Sequence, residues 1–162
     1  MSLSARLREY LDSHQVQYTV TTHRPAFTAN EVASAEHLPA REVAKTVVVF
    51  GDNQYHMLAV PASRHVDLRE VESALDLKHL RLATEIELTA LFPDCELGAM
   101  PPIGALYDLP VYLDSHLAHL DTIAFNGGTH RDAVHMQMTA FHELVAPKVV
   151  SLVRSEVVTH AW

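Results

Sequence analysis

Lys45 opens the run Lys45-Thr46-Val47-Val48-Val49-Phe50, and a lysine entering an otherwise apolar, β-branched stretch is poorly suited to a core and well suited to the rim of a pocket. There its ammonium supplies a compact positive charge, which acts on an anionic or carbonyl-bearing substrate more strongly in a partly dried cleft than in water. The same spacing also fits a lysine whose stem covers apolar surface while its head reaches solvent. A second candidate is Gly98-Ala99-Met100-Pro101-Pro102, where glycine permits close backbone approach and the prolines stiffen the loop. Such a loop can aim N–H groups at a developing oxyanion, or it can be a rigid surface turn. The third is Gly127-Gly128-Thr129-His130-Arg131, a double-glycine turn that displays His130, a group able to transfer protons or donate a hydrogen bond near neutral pH.

Other chemistries are weaker in the pattern. His116 and His119 are spaced as two ligands on one helical face, but no Cys or Glu pair follows to complete a zinc site, so no metal is expected. Cys95 lacks any surrounding nucleophile signature and reads as a packing residue. Glycine motifs for nucleotide phosphates are absent, and no cofactor is expected.

These residues need a scaffold. Leu3, Leu7, Tyr10 and Leu11 share one side of a helical period that ends near His14, and Val16, Tyr18 and Val20 then alternate as a strand running out at His23-Arg24-Pro25. Thr28 with Glu31 makes a capping box for a helix through Leu38, so Thr28 can be purely structural. The turn Gly51-Asp52-Asn53 joins the Lys45 strand to a strand over Gln54 to Val60. Asp67 with Glu70 and Thr84 with Glu87 open further helices with stripes Leu68, Val71, Leu75 and Leu88, Leu91, Phe92. After the breaker-rich loop from Cys95 to Gly104 come strands at Val111 to Asp114, Thr122 to Asn126 and Ala133 to Met138, and Thr139 caps a last helix toward Val145. The segment Val149 to Trp162 adds a strand or helix to the core. No linker or repeat divides the chain, which predicts one mixed α/β (α+β) domain over residues 1–162, a curved mixed sheet with flanking helices.

Twenty acidic against twelve basic residues give a net charge of -8, which argues against a long phosphate-backbone footprint and against DNA, but not against a small contact at an RNA end. No stretch is long and apolar enough for a membrane span, the start lacks the apolar block of a signal peptide, and a lone cysteine fits a reducing compartment; a cytoplasmic protein is expected.

Taken in order, His23-x-x-x-x-Thr28, Val43-Ala44-Lys45-Thr46-Val47-Val48-Val49, Gly98-x-x-Pro101-Pro102 and Gly127-Gly128-x-His130-Arg131 resemble the YbaK/prolyl-tRNA-synthetase-associated editing family, across nearly the whole chain. Members remove wrong amino acids from tRNA either as an insertion within the synthetase or as separate proteins, and a chain without a synthetase part resembles the free-standing kind. The resemblance implies catalytic roles for Lys45, at the terminal adenosine and scissile ester, and for His130. It implies substrate contacts from His23, Thr28, Thr46, Gly98, Ala99, Met100, Pro101, Pro102, Gly127 and Gly128, with Ala99 and Met100 as pocket walls. Thr46 stands where the alanine-removing relatives often carry asparagine. The implied activity is hydrolysis of mischarged aminoacyl-tRNA, alanine on proline tRNA leading and cysteine, serine or threonine esters competing. The implied partners are a tRNA acceptor end and a synthetase. A module that binds aminoacyl ends without turnover is the alternative.

Overall fold

The computed structural model describes residues 3–154. Helix α1 (Ala5–Ser13) starts on Ser4, whose hydroxyl accepts from the Leu7 N–H, and it buries Leu7 and Leu11. Strand β1 covers Thr19–Thr22, later than the alternation from Val16 predicts. The reason is the helix end: Gln15 takes a left-handed φ of 56° and the Val16 N–H closes back onto Leu11 O, so these residues terminate α1.

Helix α2 (Ala29–Ala35) has Thr28 as its N-cap, the hydroxyl accepting from the Glu31 N–H. Strands β2 (Ala44–Gly51) and β3 (Gln54–Pro61) form the expected antiparallel hairpin. Asp52 and Asn53 both have φ near +55°, at 55° and 58°, the conformation that matches the twist of a tight hairpin. Helix α3 (Leu68–Leu75) is capped by Asp67, β4 is the short edge strand Arg81–Leu82, and α4 (Glu85–Leu91) carries a full capping box between Thr84 and Glu87. Strand β5 (Val111–Asp114), α5 (Ser115–Ala118), β6 (Thr122–Asn126), β7 (Asp132–Gln137), α6 (Met138–Val145) and β8 (Lys148–Val150) follow. Helix α6 begins from Gln137, and Thr139 falls inside its first turn and does not cap it. Met138, pinned by its N–H on Asp121 O and buried, already belongs to the helix. The C-terminal expectation is met by β8 as far as it goes; residues 155–162 lie outside the described residues.

This is a single mixed α/β domain with its strands in two ladders. An antiparallel sheet runs β1-β7-β6, and a mixed sheet runs β4-β2-β3-β5-β8, with β5 parallel to both β3 and β8. One parallel bridge, Val43 to Ala124, joins the two ladders at the start of β2. The main core lies between the sheets and α1, with Leu7, Leu11, Ala44, Leu113, Phe125, Val134 and Phe141 in one cluster. Among the described residues no helix is long and apolar enough to cross a membrane.

Candidate active site

The two-residue period of β2 decides which way its functional side chains leave. Val43 packs with Ala26, Val32 and Ala33 under α2, while Val47 and Val49 pack with Val60 and Val71 under α3. Lys45 leaves the same face between them, at the junction of the two helix-covered patches. Its side chain is partly buried and has neither a hydrogen bond nor an ion pair among the described residues; burial holds its pKa below the ordinary lysine value. Thr46 leaves the opposite face, between Ala44, which shares a cluster with Ile103, and Val48, which shares one with Met100. It therefore faces the loop 100–103, and its Oγ1 is buried without a partner.

That loop is fastened to the glycine turn. The Gly128 N–H donates to Ala99 O at 2.9 Å, the Glu96 N–H donates to Gly128 O at 2.8 Å, and the Glu96 carboxylate accepts from the His130 N–H at 2.6 Å. Gly128 has φ +98° with Ser4 Cβ only 2.8 Å from where a side chain would begin, so the turn needs glycine. Gly98 has φ +87°, and its missing β-carbon would stand 3.6 Å from His130 Cε1. The Ala99 N–H is committed to Glu96 O at 3.0 Å. Those of Gly98 and Met100 have no partner among the described residues. Ala99, Met100, Pro101 and Pro102 are all buried.

His130 also sits against the segment that leads into α2. The Ala26 N–H donates to His130 O at 2.9 Å, and the Phe27 ring lies 4.8 Å from the imidazole, centroid to centroid, while remaining 64% exposed. His130 Nδ1 is buried without a partner. His23 is buried by contrast: its Nδ1 lies 2.6 Å from Arg24 O and its Nε2 lies 3.7 Å from Glu36. Glu36 in turn holds His135 Nε2 at 2.9 Å and the Thr21 hydroxyl. His23 and Thr28 thus flank the Arg24–Phe27 segment, His23 with its N–H on Arg131 O and its Nδ1 beside Arg24 O, and Thr28 as a helix cap, while His23 Nε2 is buried without a hydrogen-bond partner.

The structure therefore brings Ala99, Gly127, Gly128 and His130 together through hydrogen bonds and Glu96, with the β-position of Gly98 in van der Waals range of His130 and His23 bonded to the neighbouring Arg131. The isolated bridge sets Val43 beside Ala124; two residues further along each chain stand Lys45 and Asn126, the latter leading into Gly127. Asn126 Oδ1 is another buried acceptor without a partner. Phe27, Glu96 and Asn126 were not singled out by sequence. Only the aromatic beside the His23–Thr28 motif carried a signal that could have been used.

A family model for the aminoacyl-tRNA editing domain matches residues 23–144, which contain every one of these segments. The chain belongs to the aminoacyl-tRNA editing domain family. The proline–tRNA ligases of two Staphylococcus epidermidis strains are each 29% identical to this editing domain over 108 residues, 67% of the chain and 18% of the ligase, so the chain spans under a fifth of these curated relatives. A crystal structure described as a candidate trans-editing enzyme for prolyl tRNA synthetase is similar with a TM-score of 0.81 and 25% identity, covering 95% of this chain and 100% of the other. A hypothetical protein at 16% identity, covering 92% and 99%, shares the fold with a TM-score of 0.82.

Within the editing domain, the two other chemistries weighed from sequence meet structural occupations. Burial pushes the Cys95 thiol up to about 11, and its Sγ lies 3.3 Å from the Tyr107 hydroxyl, so it is a protonated packing group at neutral pH. His116 Nδ1 lies 2.8 Å from Oδ2 of the fully buried Asp114, whose other oxygen accepts from the Leu152 N–H at 2.9 Å. Among the described residues no group of three His, Cys, Asp or Glu side chains is placed to hold one metal ion.

Proposed function

We propose that this domain, over residues 1–162, is a cytoplasmic trans-acting deacylase that hydrolyses the ester of mischarged tRNA, with alanine on proline tRNA as the leading substrate and cysteine, serine or threonine esters as competitors. The observation that carries the reading is the partly dried Lys45 ammonium, left without a carboxylate at the junction with the glycine turn. A partly buried cation without a partner carries some desolvation cost, and an anionic ligand relieves it.

An aminoacyl ester is already activated, so a positioned water suffices and no enzyme nucleophile is required. Lys45 anchors the terminal nucleotide and polarises the ester. The oxyanion of the tetrahedral intermediate is met by the free N–H groups of Gly98 and Met100; Ala99 is excluded from that role because its N–H is spent on Glu96 O. One such donor contributes about 3–4 kcal/mol in acyl transfer. His130 orients water or substrate, its backbone held by Glu96 and its Nδ1 available. Selection in this reading is by volume, a site beside Ala99 and Met100 admitting a small side chain and refusing the cognate ring; both residues are buried, Met100 among Val48, Met57, Phe92 and Val111.

The test is release of labelled amino acid from tRNA carrying alanine, serine, threonine, cysteine or proline. Release of alanine from proline tRNA with proline retained is the expected result. Binding of aminoacyl-tRNA with no release from any pair would replace the enzyme by a capture module.

A further inference from the structure

We infer that Arg24 and Arg131 form a phosphate clamp for the single-stranded end of the tRNA, an inference that rests on the deacylase reading and adds to it the residues that grip the backbone. The ladder between β1 and β7 ends at Thr22 and Asp132. Beyond it the His23 N–H donates to Arg131 O at 2.8 Å, and the next bond is from the Ala26 N–H to His130 O at 2.9 Å. Arg24 and Pro25 are thereby looped out between two bonds that grip the His130–Arg131 stretch. The two arginines stand on adjoining backbone, beside the histidine of the site.

Both are exposed, and neither has an ion pair or hydrogen bond from its guanidinium among the described residues. Arg6, Arg41, Arg81 and Arg154 are each paired with a carboxylate, Asp94, Glu42, Glu87 and Asp67. Arg8 and Arg69 are unpaired as well among the described residues, and what sets Arg24 and Arg131 apart is their place on adjoining backbone beside His130. The carboxylates of this network are engaged elsewhere, Glu36 by His135 and Thr21 and Glu96 by the His130 amide. In a chain of net charge -8, attraction to RNA must come from such a local cationic spot. Phe27, three residues after Arg24 and mostly exposed, adds the aromatic face that single-strand sites pair with basic side chains. A tail of a few nucleotides is short enough to be held by two guanidinium groups and one ring.

The experiment measures affinity for an acceptor-stem hairpin with an unpaired CCA tail, and for the same hairpin without the tail, across a salt series. The wild type is compared with Arg24→Gln/Arg131→Gln and with Arg69→Gln/Lys78→Gln, which removes the same charge from exposed positions on and just after α3. For the clamp variant, the slope of log affinity against log salt should fall by about 1.4, two single-strand contacts, only for the tailed hairpin. The α3 variant should keep the wild-type slope, and release of alanine from alanyl-adenosine, which has no phosphate, should be unchanged in the clamp variant. An unchanged slope in the clamp variant, an equal fall in the α3 variant, or equal binding of the tail-less hairpin would overturn the clamp. If the wild type cannot cleave alanyl-adenosine or charged tRNA, the deacylase reading fails, and the hairpin series still decides the clamp.

Discussion

His130 Cε1 lies 3.6 Å from the point where a β-carbon on Gly98 would stand, and Gly98 holds a φ of +87° there. The loop that offers N–H groups and the turn that offers an imidazole are thus in contact at a position where only glycine is unstrained. Gly98→Ala is expected to cost roughly 1–2 kcal/mol through the positive φ rather than through a clash. Turnover should fall more than tRNA affinity, because the displaced group is the amide beside the reacting carbonyl. Thermal unfolding together with separate kcat and KM values checks this.

Phe27 is a large apolar side chain that the fold leaves mostly in solvent against His130. Phe27→Ala should leave unfolding free energy within about 0.5 kcal/mol, as for an ordinary surface change. If the ring stacks on a base of the acceptor end, binding of a tailed RNA hairpin weakens by about 1–3 kcal/mol. Equal affinity in the two proteins would remove Phe27 from the RNA surface.

Glu36 is 5% exposed at its side chain and serves His135 and Thr21 together, with His23 at 3.7 Å. Glu36→Ala strips their acceptor and should destabilise the fold by about 1–3 kcal/mol in urea titration. A variant as stable as the wild type would show that the cluster is not what ties α2 to the β1–β7 ladder.

Much of this arrangement was readable in the sequence wherever the pattern is local. The β-branched apolar run Val47 to Phe50, the Asp52-Asn53 turn and the cap residues Thr28, Asp67 and Thr84 each follow from a few neighbouring side chains; the strand, the turn and the three N-caps form, but the reciprocal capping box is completed only by Thr84 with Glu87. The start of β1 was displaced because the left-handed Gln15 ends α1 with residues that alternate like a strand. Thr139 lost its capping role to a distant bond, Met138 N–H to Asp121 O. The same limit applies to the candidate site. Lys45 and His130 stand out by type and motif, whereas Glu96 acquires its place only because a chain segment 34 positions away presents the His130 amide. Asn126 acquires its place only because β6 bridges β2. No spacing rule encodes such pairings.

The lowered pKa of Lys45 fixes the sign of two pH effects. Between the folded value and the ordinary lysine value the unfolded chain binds more protons, so this group's contribution to stability rises with pH in that window; below it, the penalty for a buried charge is fully present. Binding of an RNA end runs the other way and weakens as pH rises through the lowered value, because the ammonium is lost. Lys45→Arg should carry the alkaline limit of binding to higher pH, since guanidinium keeps its charge. Identical alkaline limits in the two proteins would mean that Lys45 does not meet the anion.

The most direct measurement is single-turnover release of alanine from alanyl-tRNA of the proline type by wild type and Lys45→Ala, with matched thermal melts. Rapid release by the wild type is expected, with a loss of at least about a hundredfold in the folded variant, the scale of removing one preorganised electrostatic group from such a site. A folded Lys45→Ala protein that released alanine at the wild-type rate would contradict a catalytic role for Lys45.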